Sequence, residues 1–454
     1  MKTLFVVFTL LAASLNSLQS FAQAQEICNN GLDDDGDGFV DCFDRDCANF
    51  SSCQGGYVGN DLVCEATPSE FPKFSLALKS ASLNGTANHL GRPVVGDIDG
   101  DGIPEMITIN RYSKKIFILN GENVNGVNTV QRELATSYSP AFEDIAIANL
   151  NNGNGSCAEI FVLSTGWRLY AYDCNLTELW SRQLPGDPGT IGIADFNGDG
   201  VEEIYARNAI YNAQTGAEII APGASWSSFN GGPVAVDIIG DARLELVCGG
   251  IIYNVDIVAK TLTPHAQSIA NYGKRVNIDA TSVADYNQDG HLDIIATGRN
   301  TTNGNTTVFF WDVQNNVVKT FSDPIPGNFT IYACPARTSN YYEKGWHQGT
   351  GRVNIADLDG DGRLNAAFVS GKYLYALKED FTLLWRKVVN EETSGNTGCT
   401  LFDFNGDGKA EVVYRDEKNI YIIDGTNGST FTSQTCVSRT NREYPIVALS
   451  LIHI

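Results

Sequence analysis

The sequence predicts an all-β fold, a seven-bladed β-propeller, and three observations lead to it. The pattern D-x-[DN]-x-D-G, closed by an acid or amide, recurs in DIDGDGIPE from Asp97, DFNGDGVEE from Asp195, DYNQDGHLD from Asp285, DLDGDGRLN from Asp357 and DFNGDGKAE from Asp403. Two eroded copies start at Asn149 and Asp237, so one unit of about 42 to 52 residues is copied seven times, with one longer interval. That period is the size of a propeller blade, which must stack on its neighbours to bury its faces. The composition agrees: 45 Gly, 18 Tyr and 22 Phe among 454 residues, only 19% of them charged, suit short strands joined by tight turns. The loops are also flanked by strand-like runs, PVVGD, TIGIAD, GPVAVD and RVNIAD before them and EMITIN, EIYAR, DIIATG and EVVYR after them. None sustains a helical period for ten residues, so each loop joins two strands.

The N-terminus carries the address. Lys2, the apolar run from Leu4 to Leu15 and the end at Ala22-Gln23-Ala24 read as an export signal over residues 1–24. A membrane anchor is the rival reading, but the run is too short to span a bilayer and no other stretch reaches about 18 apolar residues. Export places the protein outside the cell or on its surface. Eleven cysteines suit an oxidising compartment, and their odd number leaves one without a partner in the chain. A net charge of −22 disfavours nucleic acid and anionic lipid, which need clustered Lys and Arg.

Residues 25–66 form a segment of different character. Cys28, Cys42, Cys47 and Cys53 surround Asp33, Asp35, Asp37 and Asp41, with Gly36 and Gly38 allowing sharp turns. So few apolar residues cannot stabilise a fold by burial; disulfides and a cation held by the four Asp are the substitutes, and a disordered acidic linker is the alternative.

Residues 67–445 hold the repeats. After each loop and its second strand come an aromatic third strand, as in KKIFILNG or KYLYALKED, and an outer strand, as in TELWSRQL or TLLWRKVV. Trp180 and Trp385 occupy equivalent outer positions, which favours packing over ligand stacking. In one blade, Glu159 to Ser164 and Arg168 to Asp173 read as strands around a two-residue turn at Thr165-Gly166, which sets Cys157 opposite Cys174 for a disulfide.

The loops themselves suit calcium, a hard cation that takes six to eight oxygens in flexible geometry. In the first copy, Asp97, Asp99 and Asp101 supply carboxylates, Ile103 a backbone carbonyl, and Glu105 closes the site. The same positions are Asp195, Asn197, Asp199, Val201 and Glu203, then Asp285, Asn287, Asp289, His291 and Asp293, then Asp403, Asn405, Asp407, Lys409 and Glu411. The copy with Asp357, Asp359, Asp361 and Arg363 ends on neutral Asn365 and is expected to bind more weakly. Ile239 and Ala242 remove an oxygen and a glycine from the copy at Asp237, and an insertion with neutral Asn149 and Asn151 spoils the copy at Asn149, so these two are expected to be empty. Ordinary Asx turns are the competing explanation of the spacing.

These loops resemble FG-GAP or VCBS repeats, the family whose familiar member is the integrin α-subunit propeller, over about residues 70 to 445. The resemblance implies a seven-bladed propeller with several structural calcium ions on one face, serving adhesion or ligand binding. Residues 26–53 resemble a Cys-flanked, Asp-rich metal-binding motif, and the combination is similar to secreted surface proteins of gliding-type Bacteroidetes. The expected function is therefore a non-catalytic module for a protein or glycan ligand. The alternatives are a carbohydrate-active propeller, a lectin or polysaccharide lyase, and a structural spacer. No His stands in a nucleophile or zinc motif, and the paired carboxylates are already explained by cation binding. The long interval before Asp357 places Phe329, Tyr332, Tyr341, Tyr342, Trp346 and His347 between about Phe321 and Gly349, a candidate ligand loop. At the far end Pro445 aligns with Pro93 and Pro233, but Leu449 replaces the motif Asp. Residues 446–454 are thus expected to be a closing strand or the start of a further repeat in a longer surface protein.

Overall fold

The computed structural model describes residues 76, 93–101, 103–110, 113–124, 127–150, 157–186, 190–221, 232–267, 276–300, 306–323, 351–390, 397–436 and 444–447. All belong to Thr67–Ile454, the larger of two compact units of the chain. The export signal, the segment with Asp33, Asp35, Asp37 and Asp41, and the candidate aromatic loop at 324–350 lie outside the described residues. Phe321, placed by the sequence at the start of that loop, instead lies in a strand and packs edge-on against Tyr375 of the next blade.

Seven four-stranded antiparallel sheets follow one another, each from consecutive strands in simple order. The first, innermost strands are Val94–Gly96, Pro140–Ala148, Ile191–Ala194, Val234–Val236, Val276–Ala284, Asn354–Ala356 and Cys399–Phe402. The second strands all begin on the residue that closes the loop: Glu105, Glu159, Glu203, Glu245, Asp293, Asn365 and Glu411. Inner strands of successive blades touch, which arranges the sheets radially about a channel. Among the described residues no helix is long and apolar enough to cross a membrane.

Second strands are buried on both faces because each blade is covered on two sides. Alternate residues feed two neighbouring cores: Phe161 and Leu163 pack on the third blade, Ile160 and Val162 on the first. The two tryptophans act as knobs between blades. Trp180 Nε1 donates to the Ala213 carbonyl at 3.1 Å and Trp385 Nε1 to that of Gly425 at 2.6 Å, each on the following blade. Their rings lie over Gly216 and Gly428, where a Cβ would stand 2.6 and 2.9 Å from the indole and where φ is +67° and +74°. Glycine is required there by space and by backbone conformation.

Cys157 and Cys174 form a disulfide with Cα atoms 5.4 Å apart. The hairpin between them corrects the expected turn. Leu163 pairs with Leu169, so the turn holds three residues, Thr165 to Trp167, and Trp167 takes the left-handed φ of +61°. The one-residue slip does not separate the cysteines, because both lie beyond the paired ends of the strands.

Trp385 is 8% exposed. Trp385→Ala is expected to cost about 3–5 kcal/mol in urea unfolding, whereas Leu383→Ala, on the same strand but outward, stays within about 0.5 kcal/mol.

Candidate metal centre

Each carboxylate loop is organised first by its own backbone. The leading Asp accepts amides from three to five residues ahead. Asp195 takes Gly198 at 2.8 Å and Gly200 at 2.8 Å, Asp403 takes Gly406 at 2.7 Å and Gly408 at 2.8 Å, and Asp357 takes Gly360 at 2.7 Å and Gly362 at 2.8 Å. The third Asp then accepts the amide two residues on, as Asp101 does from Ile103, Asp199 from Val201, Asp289 from His291, Asp361 from Arg363 and Asp407 from Lys409. The eroded copy has the same shape: Asp237 accepts from Gly240, Asp241 and Ala242, and Ala242 adopts φ +67° in place of glycine. Loop conformation is therefore written by Asp capping and does not require the full ligand set.

The closing residue has a role that sequence reading missed. In all seven copies it accepts the amide that follows the leading residue: Glu105 from Ile98, Glu159 from Leu150, Glu203 from Phe196, Glu245 from Ile238, Asp293 from Tyr286, Asn365 from Leu358 and Glu411 from Phe404, all at 2.7–3.1 Å. The signal was present in the sequence, since the closing residue persists in copies that have lost their other ligands. A second repeated feature is an Asp or Asn where the third strand ends. Asn212 lies opposite Glu203 and Asp312 opposite Asp293, and each caps its own turn.

Three carboxylates gather in two copies. Asp97, Asp99 and Glu105 come within 4.8 Å of one another, as do Asp357, Asp359 and Asp361. The first group includes the closing Glu and leaves out Asp101. The second, expected to be weaker, needs no closing carboxylate, because Asn365 performs the backbone bond and Asp359 adds the charge. Buried oxygens of Asp99, Glu105 and Asp359 have no hydrogen-bond partner, as ligand atoms would. In the other three strong copies an amide sits among the acids: Asn197 donates to Asp199 at 2.9 Å, Asn287 to Asp289 at 3.2 Å and Asn405 to Asp407 at 3.1 Å. A half-turn of each amide would present oxygen to a cation instead.

Electrostatics point the same way. Burial, followed by the charges of the loop acids, pushes Glu203, Asp293 and Glu411 up to about 7 against the backbone bonds that favour ionisation. Glu105 and Glu245 move up for the same reasons. A divalent cation among these groups would restore their ionised forms.

The loops all join first to second strands and so occupy one face of the ring. The other ends of the inner strands open on the opposite mouth. The channel there holds about 590 Å³ and is lined by Val94, Ile145, Ile191, Asn354 and Tyr444, with Arg352 the one charged lining residue among those described. A Cβ on Gly232 would stand 3.4 Å from Arg352 Nη2 and 3.2 Å from Thr190 Oγ1, so the guanidinium reaches from the sixth blade to the third and fourth. Arg352 and Asp357 are separated by about 16 Å of extended chain.

No protein-family model matches the chain, and no curated protein matches it. Solved structures do. The Vibrio cholerae biofilm matrix protein Bap1 shares 18% identity over 79% of this chain and 71% of its own, with a TM-score of 0.36. Rhamnogalacturonan lyase YesW shares 15% over 77% of this chain and 64% of its own, with a TM-score of 0.46. BBS1N, solved in complex with ARL6DN, shares 12% over 80% and 97%, with a TM-score of 0.38. Likenesses this distant do not extend to function.

Two outcomes test the loops. The raised carboxyls bind protons in the fold that the unfolded chain has released, so metal-free stability is fullest below the ordinary carboxylate range and is lost as pH rises to about 7. Calorimetry in chelator should show melting temperature falling across that window, and calcium should reverse the trend. Asp237→Ala should cost about 1–2 kcal/mol equally with and without calcium, through lost amide acceptors. Asp359→Asn should leave chelated protein unchanged or more stable and remove one bound ion when ions are counted in calcium.

Proposed function

We propose that the protein is a secreted, calcium-stabilised propeller of the FG-GAP/VCBS kind that acts as an adhesion or ligand-binding module without chemistry of its own. The observation that carries this reading is the distribution of ionisable groups. The closing carboxyls that burial pushes up, Glu105, Glu203, Glu245, Asp293 and Glu411, lie on five different blades, each bonded to its own loop backbone, and among the described residues they do not converge on a common cavity. A catalytic acid and base need a shared substrate position within hydrogen-bond reach, and this arrangement disperses them. What the loops can do is clamp adjacent strands through cations and hold the opposite mouth rigid. The Cys157–Cys174 disulfide suits an extracellular place of work.

A carbohydrate-active propeller is the second reading, favoured by the channel. About 590 Å³ lies within the range of ligand pockets, and Arg352 supplies a cation suited to an acidic sugar or an acidic peptide side chain.

Binding of the full chain to immobilised acidic polysaccharides and to host-type surface proteins distinguishes these readings. Capture of one of them without product, weakened more than about tenfold by Arg352→Ala at unchanged melting temperature, supports the module. Release of shortened or unsaturated sugar overturns it in favour of the enzyme.

A further inference from the structure

The altered copies divide the ring. The third blade stands between the second and the fourth, whose loops are expected to be empty, whereas the fifth, sixth and seventh blades carry the motif in succession. Direct contacts join the loops of that run. Gln288 Nε2 of the fifth blade donates to the Gly362 carbonyl of the sixth at 3.0 Å. The Ala410 amide of the seventh donates to the Asp357 carbonyl of the sixth at 2.8 Å, and the Lys409 stem crosses Gly360 so closely that a Cβ there would stand 2.6 Å from Lys409 Cε.

The places of these contacts decide what they can carry. Gln288 lies between Asn287 and Asp289, Gly362 between Asp361 and Arg363, and Ala410 between Lys409 and Glu411, all positions that the motif assigns to a cation. Asp357 is itself such a position. Each leading Asp also ties its contact into the loop, since Asp357 accepts the amides of Gly360 and Gly362, and Asp285 those of Asp289 and Gly290. Gln288 is the exception among its equivalents. Gly100, Gly198, Gly240, Gly360 and Gly406 hold that place in the other regular copies with φ from +67° to +78°, whereas Gln288 keeps a left-handed φ of +59° with a full side chain. Its strain accompanies the one amide that reaches across to the next loop.

We propose, resting on the reading of the loops as calcium sites, that those of the fifth, sixth and seventh blades form one cooperative unit linked by Gln288 and Ala410, while the loop of the third blade binds alone. An ion that gathers Asp357, Asp359 and Asp361 fixes both the Gly362 and the Asp357 carbonyls. The neighbouring ions then meet Gln288 and the run Lys409–Glu411 already placed, so less ordering opposes them. Repulsion between ions acts the other way, but the carboxylates of each loop offset its own ion and salt screens what remains.

Hydrogen exchange of the full chain in rising free calcium, read by mass spectrometry with bound ions counted by dialysis, follows each loop separately. Asp359→Asn should raise the calcium that half-protects the peptides spanning 285–293 and 403–411 about fivefold, leave 195–203 unmoved and remove one ion at saturation. Gln288→Gly removes no ligand and installs the residue that the other copies carry. It should shift 285–293 and, by reciprocity, 357–365 by a similar factor at an unchanged ion count. Half-protection that stays or falls in both variants, or a shift of 195–203 as large as the others, overturns the coupling while the counted ions leave the calcium reading intact. An unaltered chain that holds no ion overturns both.

Discussion

The structure depends on one hydrogen bond made seven times, buried in six blades and half-buried in the seventh: the first side chain of each second strand accepts the amide at the top of its loop. This bond fixes the first two strands of a blade to each other and sets where the loop begins. An acceptor oxygen is the requirement, not a charge, since Asn365 meets it as well as Glu or Asp. A carboxylate brings a second oxygen and a desolvation cost, and both are useful if a cation is held nearby. The acid is therefore first a folding residue, and its second oxygen is what a cation would use.

The blades are held by contacts of a different kind. Within a sheet the strands pair with their sequence neighbours; between sheets, alternate side chains and the Trp180 and Trp385 knobs make the cores. Each interface is local to two consecutive repeats, so stability is close to a sum of neighbour terms and the weakest junction sets the resistance of the ring. The junction between the seventh blade and the first is the one that depends on contacts between distant parts of the chain.

Much of this was legible in the sequence. The loop spacing set a strand on either side of each copy, and aromatic runs such as KKIFILNG and KYLYALKED located the third strand in the blades that carry them. Cys157 and Cys174 were found by counting across a hairpin even though its turn is one residue longer, because the error moved neither cysteine out of reach. The backbone role of the closing residue was not recognised, since a metal ligand and a backbone acceptor demand the same residue at the same spacing; only the persistence of Glu159, Glu245 and Asn365 in altered loops points to it. Phe321 was misplaced because an aromatic residue at a strand's end and one at a loop's start look alike without the partner Tyr375. The alignment of Pro445 with Pro93 and Pro233 marked a repeat-like position there, but the bond from Thr400 to the Pro445 carbonyl is a contact between distant residues that no local pattern encodes.

Ala242 has a consequence beyond its own loop. It holds a left-handed backbone that glycine would occupy without strain, in a loop whose leading Asp and closing Glu are intact. The loop keeps its shape although Ile239 and Ala242 stand where an oxygen and a glycine stand in the other copies, so the blade does not depend on those side chains. Changes at two or three side chains can therefore alter what such a loop is able to hold, while the architecture of the blade around it stays the same.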